Sequence, residues 1–189
     1  MKDLEILNPI SDGEGSFGTL FLATDMASKS KKYAIKTIST LKKIEEDIIK
    51  EIKIWEKIEK SGKPKSIPKL YNWSREEIST QTWNHVDYHL IFDYYPNSLK
   101  KIITNLKNNQ NSDPFPLKKL IHFTKSLIDA LSYLQTLKVC HRDMKPDNLL
   151  VDDTCDNIFV IDFGESKEVR NYTATLLTDV AGTPKYLSP

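Results

Sequence analysis

The sequence is poor in the residues that typify secreted, membrane-embedded and polyanion-binding proteins. Only two of its 189 residues are cysteine, which is too few for the disulfide framework of a small secreted domain, so an intracellular, cytoplasmic location is expected. No apolar run approaches the roughly 20 residues that cross a bilayer, and acidic residues near the N-terminus predict no signal peptide. The net charge is +1 and only three of the 27 basic residues are arginine. We therefore expect neither a membrane nor a nucleic acid as a partner.

The sequence does contain a dense group of polar residues at 140–151, between two apolar runs. Asp143 provides a carboxylate that can orient a hydroxyl and accept its proton, and Lys145 provides a cation for a moving phosphoryl group. Asn148 adds an amide oxygen for a metal ion. Phosphoryl transfer to a hydroxyl requires these three groups, whereas the alternative interpretation of such a stretch is a solvated polar loop.

This segment resembles the His-Arg-Asp-x-x-x-x-Asn catalytic loop of the eukaryotic protein kinases. The resemblance implies a serine/threonine kinase that uses ATP and Mg²⁺, with an α+β, two-lobed fold. It assigns the following residues to catalysis: Asp143, Lys145, Lys36, Glu51 and Asn148.

The segment at 13–18, Gly-Glu-Gly-Ser-Phe-Gly, lies between two stretches that alternate apolar and polar residues. This alternation predicts two strands. A dinucleotide-binding loop of the same pattern would open a helix, but the residues after Gly18 predict a strand. The segment is therefore predicted to be a glycine-rich hairpin whose backbone closes over phosphates, with a plain hairpin as the alternative.

Lys36 follows in a strand-like stretch and resembles the kinase lysine that binds the α- and β-phosphates. By itself, an exposed strand lysine indicates only a solubilising charge. Apolar residues at three- and four-residue spacing predict a helix over 42–60, which contains several glutamates that compete to pair with Lys36. The family pattern selects Glu51. The others are expected to form surface pairs with nearby lysines: Glu45, Glu46, Glu56 and Glu59.

Residues 67–94 predict further strands, and their end resembles the kinase hinge, with Phe92 as gatekeeper. The resemblance also predicts a stacked apolar spine of Trp55, Leu70, His141 and Phe163. It assigns nucleotide binding to these residues: Gly13, Gly15, Ser16, Phe17, Gly18, Leu20, Ala34, Lys36, Phe92, Asp93, Tyr95, Leu150 and Asp162.

An apolar strand is predicted at 157–161, directly before Asp162-Phe163-Gly164. By resemblance, Asp162 and Asn148 are the magnesium ligands. The polar segment at 165–181 is similar to a kinase activation loop, in which an upstream kinase would phosphorylate Thr175 or Thr178 and the phosphate would pair with Arg142. Together, Lys145 and Thr183 favour a serine or threonine acceptor on a protein substrate.

The predicted small lobe is 1–95, and 96–189 is predicted to be part of a helical lobe. Within it, 105–116 is predicted to be a loop and 117–136 a long helix. By resemblance the chain stops one residue before a glutamate, and on the order of 100 further residues are expected. We therefore expect one face of the 117–136 helix to be exposed, and the 189-residue chain to fold poorly or aggregate.

The function predicted from the sequence is ATP-dependent phosphorylation of protein serine or threonine. The alternative is a non-catalytic, kinase-like nucleotide-binding or regulatory module. None of the catalytic residues is substituted, which argues against that alternative.

Overall fold

The computed structural model describes residues 4–10, 18–41, 45–79, 84–108, 116–169 and 181–186. Its strands and helices, in chain order, are β1 (Leu4–Pro9), β2 (Thr19–Asp25), β3 (Lys32–Leu41), α1 (Glu46–Lys60), β4 (Leu70–Ser79), β5 (Asn84–Asp93), β6 (Asn97–Ser98), α2 (Leu99–Asn108), α3 (Leu117–Thr136), β7 (Val139–Cys140), β8 (Leu149–Val151), β9 (Ile158–Val160) and β10 (Lys167–Glu168). Single 3-10 turns lie at Pro146–Asn148 and Pro184–Tyr186. A strand-rich first part followed by helices confirms the predicted α+β fold.

The chain forms two compact units, and each unit consists of two separate stretches of the sequence. The first comprises Met1–Ile49 and Lys69–Tyr94, and the second comprises Lys50–Pro68 and Tyr95–Pro189. Residues 50–68 therefore pack with the second unit, while the predicted lobes at 1–95 and 96–189 stay a prediction. No helix of the described residues has the length and apolar character needed to span a bilayer.

The first unit is built on an antiparallel five-stranded sheet in the order β1-β2-β3-β5-β4. Alternating residues on these strands are buried on both faces of the sheet: Tyr33 packs with Ala23 and Ile35 on one face, and Tyr88 and Leu90 are buried on the other. The Tyr88 hydroxyl donates a 2.7 Å hydrogen bond to Glu45, and Arg75 Nε lies 3.1 Å from the same carboxylate oxygen. The expectation that Glu45 pairs with a lysine on the surface was therefore wrong, because β4 and β5 supply its partners.

Helix α1 begins at Glu46 and ends at Lys60, within the predicted 42–60. The predicted apolar stripe is buried at Ile52, Trp55 and Ile58. Glu56 forms an ion pair with Lys60 at 3.6 Å, one turn further along, as expected of a surface glutamate. The burial of one face of this helix is what fixes the direction of Glu51, which borders the stripe and is also buried.

Helix α2 (Leu99–Asn108) contradicts the predicted start of the loop at Asn105. The Ser98 hydroxyl accepts a hydrogen bond from the backbone N–H of Lys101 at 3.2 Å, which caps the first turn. The Lys100 ammonium lies 2.6 Å from the Asp147 carboxylate. The helix is therefore held at its start by a cap and an ion pair, and it continues to Asn108 although two of its last four residues are asparagine, a weak helix former.

Helix α3 (Leu117–Thr136) has the bounds predicted from the apolar spacing. One face is buried at Phe123, Ala130 and Leu134. The opposite face is exposed by 40–71% at five large apolar residues, and Leu117, Leu120, Ile121, Thr124, Lys125 and Ile128 line a shallow apolar groove there. The expectation of an exposed helix face is confirmed for this chain.

Candidate active site

The segment 141–148 lies between two short strands of the second unit. At its start, β7 pairs with β10 through Cys140 and Lys167, and at its end β8 pairs with β9 through Leu149 and Val160. Because β9 and β10 flank 161–166, the same two pairings fix the Asp162-Phe163-Gly164 segment. The backbone N–H of Ile161 also donates to the carbonyl of Asn148 at 3.1 Å. The two polar segments singled out in the sequence are therefore neighbours in space.

Two residues of these segments have a backbone conformation that is uncommon for side-chain-bearing residues. Arg142 has a φ of 69° and Asp162 a φ of 66°. Non-glycine residues in this region store a free-energy cost on the order of 1–3 kcal/mol each, and such residues concentrate at functional sites. One of the two, Arg142, directly precedes Asp143, and the other, Asp162, is the first residue of Asp-Phe-Gly.

Asp143 is only 8% exposed, and three side chains surround its carboxylate. The Thr183 backbone N–H and hydroxyl both donate to Oδ1, at 2.9 and 2.7 Å. On the other oxygen, Oδ2, the Lys145 ammonium lies at 2.6 Å and the Asn148 side-chain amide donates at 2.9 Å. Lys145 Nζ also donates to the Thr183 hydroxyl at 2.9 Å, which closes the network.

These contacts determine the charge of Asp143. Burial would raise the pKa of the carboxyl, but the hydrogen bonds from Lys145 and Thr183 outweigh it and hold the pKa below the ordinary 3.8. Asp143 is therefore a carboxylate at neutral pH. A buried carboxylate with directed lone pairs can orient a hydroxyl and accept its proton.

Asn148 and Asp162 present oxygen atoms of the kind that Mg²⁺ prefers. The amide nitrogen of Asn148 is bonded to the backbone oxygen and Oδ2 of Asp143, both at 2.9 Å, which leaves the amide oxygen to face a cation. Within the described ranges, no three His, Cys, Asp or Glu side chains converge into a self-sufficient metal site. Two protein oxygens suit Mg²⁺, which commonly completes its shell with water and substrate phosphates, so the residues fit this ion.

His141 is buried and has a structural role beside Asp143. Its Nε2 donates to the Ile161 carbonyl at 2.9 Å, so Nδ1 is the acceptor for the Asp143 backbone N–H at 3.3 Å. Burial lowers the pKa of the imidazole, although the hydrogen bond to Ile161 opposes this. The neutral ring therefore joins the segment that carries Asp143 to the residue that follows β9, Ile161.

Two of the four predicted spine residues, Trp55 and His141, pack on a third, Phe163. Phe163 lies edge-on to Trp55, with ring centroids 4.7 Å apart, and its ring is 5.2 Å from that of His141. The fourth, Leu70, is buried in the first unit. Glu51 lies close to this group, since its Oε2 is 3.7 Å from the position that a Cβ on Gly164 would occupy. The structure thus brings Glu51 to the Asp162 segment, and the pairing of Glu51 with Lys36 stays a prediction.

Four of the predicted nucleotide contacts share one face of the sheet in the first unit. Leu20 lies opposite Lys36, and Ala34 lies opposite Phe92. Opposite residues of antiparallel strands point to the same face, as do residues two apart on one strand. Gly18 precedes them with a φ of 112°, and a Cβ there would lie 2.3 Å from the Thr37 carbonyl oxygen. Only glycine fits this position.

Some predicted residues lie elsewhere or outside the described residues. The Asp93 carboxylate accepts hydrogen bonds from the Tyr71 hydroxyl at 2.8 Å and the Lys69 N–H at 3.0 Å, and the Asp93 N–H donates to the Lys69 carbonyl at 3.3 Å, so these groups of Asp93 are bonded to β4 and the residue before it. The ring of Tyr95 stacks on Phe159, and Leu150 lies on β8. The following predicted residues lie outside the described ranges: Gly13, Gly15, Ser16, Phe17, Thr175 and Thr178.

Thr183 is the residue that the sequence reasoning undervalued. Thr183 was used, together with Lys145, only to infer the acceptor, yet it contributes two of the hydrogen bonds on Asp143. Its position directly after Gly182 gives no sign in the sequence of this contact.

Comparison with known proteins agrees with this geometry. The family described as protein kinase domain matches residues 10–189. The chain belongs to the protein kinase family. It is 28% identical over its whole length to cAMP-dependent protein kinase catalytic subunit 3 of Drosophila melanogaster, where it covers 29% of that protein.

Two other kinases show similar identity. Serine/threonine-protein kinase PKH2 of Candida albicans is 27% identical over 94% of the chain and 18% of the relative. Glycogen synthase kinase 3 of Trypanosoma brucei brucei is 26% identical over 83% of the chain and 43% of the relative. The chain therefore spans less than half the length of each of these kinases.

Proposed function

We propose that the protein transfers the γ-phosphoryl group of Mg-ATP to serine or threonine hydroxyls of protein substrates. The observation that supports this most directly is the bonding of Asp143, whose carboxylate is kept deprotonated by Lys145 and Thr183 and also accepts a hydrogen bond from Asn148. In this role Asp143 orients the acceptor hydroxyl and takes its proton as the phosphoryl group arrives. Lys145 is close enough to Asp143 to stabilise the charge on the transferred group.

The remaining roles follow the family resemblance, residue by residue. Lys36 binds the α- and β-phosphates and Glu51 positions Lys36. Asn148 and Asp162 hold Mg²⁺, which neutralises charge on the phosphates when bound. The backbone of the segment at 93–95 binds adenine, and the segment at 13–18 covers the phosphates.

The protein substrate and the upstream kinase are part of the same proposal. Lys145 and Thr183, joined by a 2.9 Å hydrogen bond, favour a serine or threonine acceptor over tyrosine. Phosphorylation of Thr175 or Thr178 by another kinase would provide a phosphate for Arg142 to bind. The lobes at 1–95 and 96–189 and a cytoplasmic location belong to this proposal too, and the free thiols of Cys140 and Cys155 suit a reducing compartment.

The experiment that tests the function replaces Asp143 by alanine in the full-length protein. Loss of a general base typically lowers turnover by about 10²- to 10⁴-fold, while ADP binding is expected to persist. Near-normal turnover of Asp143→Ala would refute the role of Asp143. A wild-type protein that binds Mg-ADP but phosphorylates no serine or threonine peptide would instead be a nucleotide-binding regulatory module.

A further inference from the structure

The three-stranded sheet of the second unit has two faces with different surroundings. Its strands lie in the order β6-β8-β9. Leu149, Val151, Ile158 and Val160 alternate onto one face, and all four are buried. Leu150 and Phe159 lie directly opposite each other across β8 and β9, so they share the other face. Leu150 is only partly buried there. This second, more open face carries Leu150, which the family resemblance assigns to nucleotide binding.

Phe159 lies on this more open face but is only 8% exposed, because another aromatic ring covers it. The Tyr95 ring lies on the Phe159 ring with centroids 3.8 Å apart and planes inclined by 24°. Tyr95 precedes β6 by two residues and follows Asp93 by two, so it belongs to the segment proposed to bind adenine. The stack therefore fixes a side chain of that segment against the sheet beside Leu150.

We infer that Phe159 is a positioning residue for nucleotide binding, which acts by holding Tyr95 and its backbone in place through the ring stack. The inference rests on the proposed function, since it requires that 93–95 bind the base. Aromatic pairs are stabilised beyond the burial of their area, and two rigid rings immobilise a short connecting segment better than aliphatic chains. A pre-organised binding segment costs less entropy when the ligand arrives.

The test measures Mg-ADP affinity by calorimetry in the full-length protein. Phe159→Leu removes the ring and is expected to weaken the affinity roughly 2- to 12-fold, the range that corresponds to one aromatic pair. Phe159→Tyr keeps an aromatic ring at this position and should bind Mg-ADP with the affinity of the wild type. The control is Phe123→Leu on α3, an equally buried phenylalanine of the same unit, which should lower the melting temperature without changing the affinity.

A double-mutant cycle separates positioning from a general structural role. Tyr95→Leu should weaken binding at least as much as Phe159→Leu, and combining the two should add little, because either change removes the stack. Wild-type affinity in Phe159→Leu, or additive losses in the double variant, would overturn the inference. Should Phe159→Leu not fold, unaltered affinity in Tyr95→Leu alone would overturn it. A wild-type protein that binds no ADP would overturn the proposed function as well.

Discussion

Thr183 donates both its backbone N–H and its hydroxyl to the same oxygen of Asp143, at 2.9 and 2.7 Å. This links the last described segment of the chain, 181–186, to the segment that carries Asp143, 40 residues earlier. The second oxygen of Asp143 is bonded to Lys145 and Asn148. The carboxylate is thus fixed in rotation, which is what an acceptor for one particular proton requires.

Replacing Thr183 by alanine removes one of these hydrogen bonds and the contact of Lys145 with the hydroxyl. A hydrogen bond to a charged group is worth about 1.5–3 kcal/mol, so kcat is expected to fall by at least about tenfold. Thr183→Ser keeps the hydroxyl and should retain most of the activity. Steady-state kinetics with a serine peptide measures both, and equal activity of Thr183→Ala and Thr183→Ser would contradict the assigned contact.

On the acidic side of the pH profile, kcat/KM should fall at a pH below 3.8, the ordinary pKa of aspartate. Hydrogen bonds from Lys145 and Thr183 lower the pKa of the Asp143 carboxyl, although burial opposes them. A depressed pKa means that the folded protein binds this proton less readily than the unfolded chain does. The associated stability is present above the unfolded pKa and is lost as the pH falls through the folded value. Lys145→Met removes the closest cation and should therefore raise the pH at which kcat/KM falls. A profile of kcat/KM against pH measures this.

Gly18→Ala is expected to destabilise the protein by at least about 3 kcal/mol, from backbone strain and a steric clash together. The added Cβ would lie 2.3 Å from the Thr37 carbonyl oxygen, at a φ of 112°. Gly62 is a matched control, because its φ of 72° is also positive but no atom lies within 4 Å of its Cβ position. Gly62→Ala should cost only about 1 kcal/mol. Urea unfolding compares the two, and a similar loss in both variants would exclude the clash.

His141 should make the protein less stable as the pH falls below 6.5. Burial lowers its pKa from 6.5 despite the carbonyl of Ile161 and the nearby carboxylates of Asp162 and Asp143, so the unfolded chain takes up the proton first. The stabilisation of the folded state by neutral His141 is fully present above 6.5, the pKa in the unfolded chain. It is lost as the pH falls from 6.5 to the lower pKa of His141 in the folded protein. Melting temperatures between pH 7.5 and 5.5 should therefore fall less in His141→Asn than in the wild type. His122→Asn, the same substitution at an exposed position of α3, is the matched control.

The exposed face of α3 predicts the solution behaviour of the 189-residue chain. Ile121 and Ile128 are 56% and 57% exposed, so Ile121→Glu with Ile128→Glu should reduce self-association while changing stability by no more than about 0.5 kcal/mol. Both glutamates would lie within one turn of Lys125. Phe123→Ala on the buried face should instead cost about 3–5 kcal/mol. Sedimentation velocity and urea unfolding test this, and unchanged association would mean that another surface is responsible.

The sequence predicted best what depends on local patterns. The bounds of α3 follow from one apolar stripe. Asp143, Lys145 and Asn148 were singled out by the spacing of their chemical groups and by the resemblance of 140–151 to a kinase catalytic loop, and the structure brings the three together. Helix α2 was missed because the asparagines at 105, 108 and 109 indicate a loop, although Leu99, Ile102, Ile103 and Leu106 have helical spacing. A helix of this length is only marginally stable on the helix propensity of its residues. The cap from Ser98 and the ion pair between Lys100 and Asp147 stabilise it further.

Contacts between distant parts of the chain could not be inferred from the sequence. Tyr95 and Phe159 are 64 positions apart, and Glu45 finds Arg75 and Tyr88 on strands that follow it. Neither pair has a local signature, because both depend on strand register, which is set by the fold as a whole. The double contact of Thr183 with Asp143 is of the same kind.

The small sheet of β6, β8 and β9 also constrains how this gene can change. Residues that fill the core alternate along each strand with residues of the open face, as Val151 and Leu150 do. A single-codon insertion or deletion within β8 or β9 would exchange the two sets and place side chains suited to the core against solvent. It would also displace Asn148 or Asp162, each of which lies one or two residues from a strand end. Substitutions can be tolerated in these strands, but changes in their length cannot.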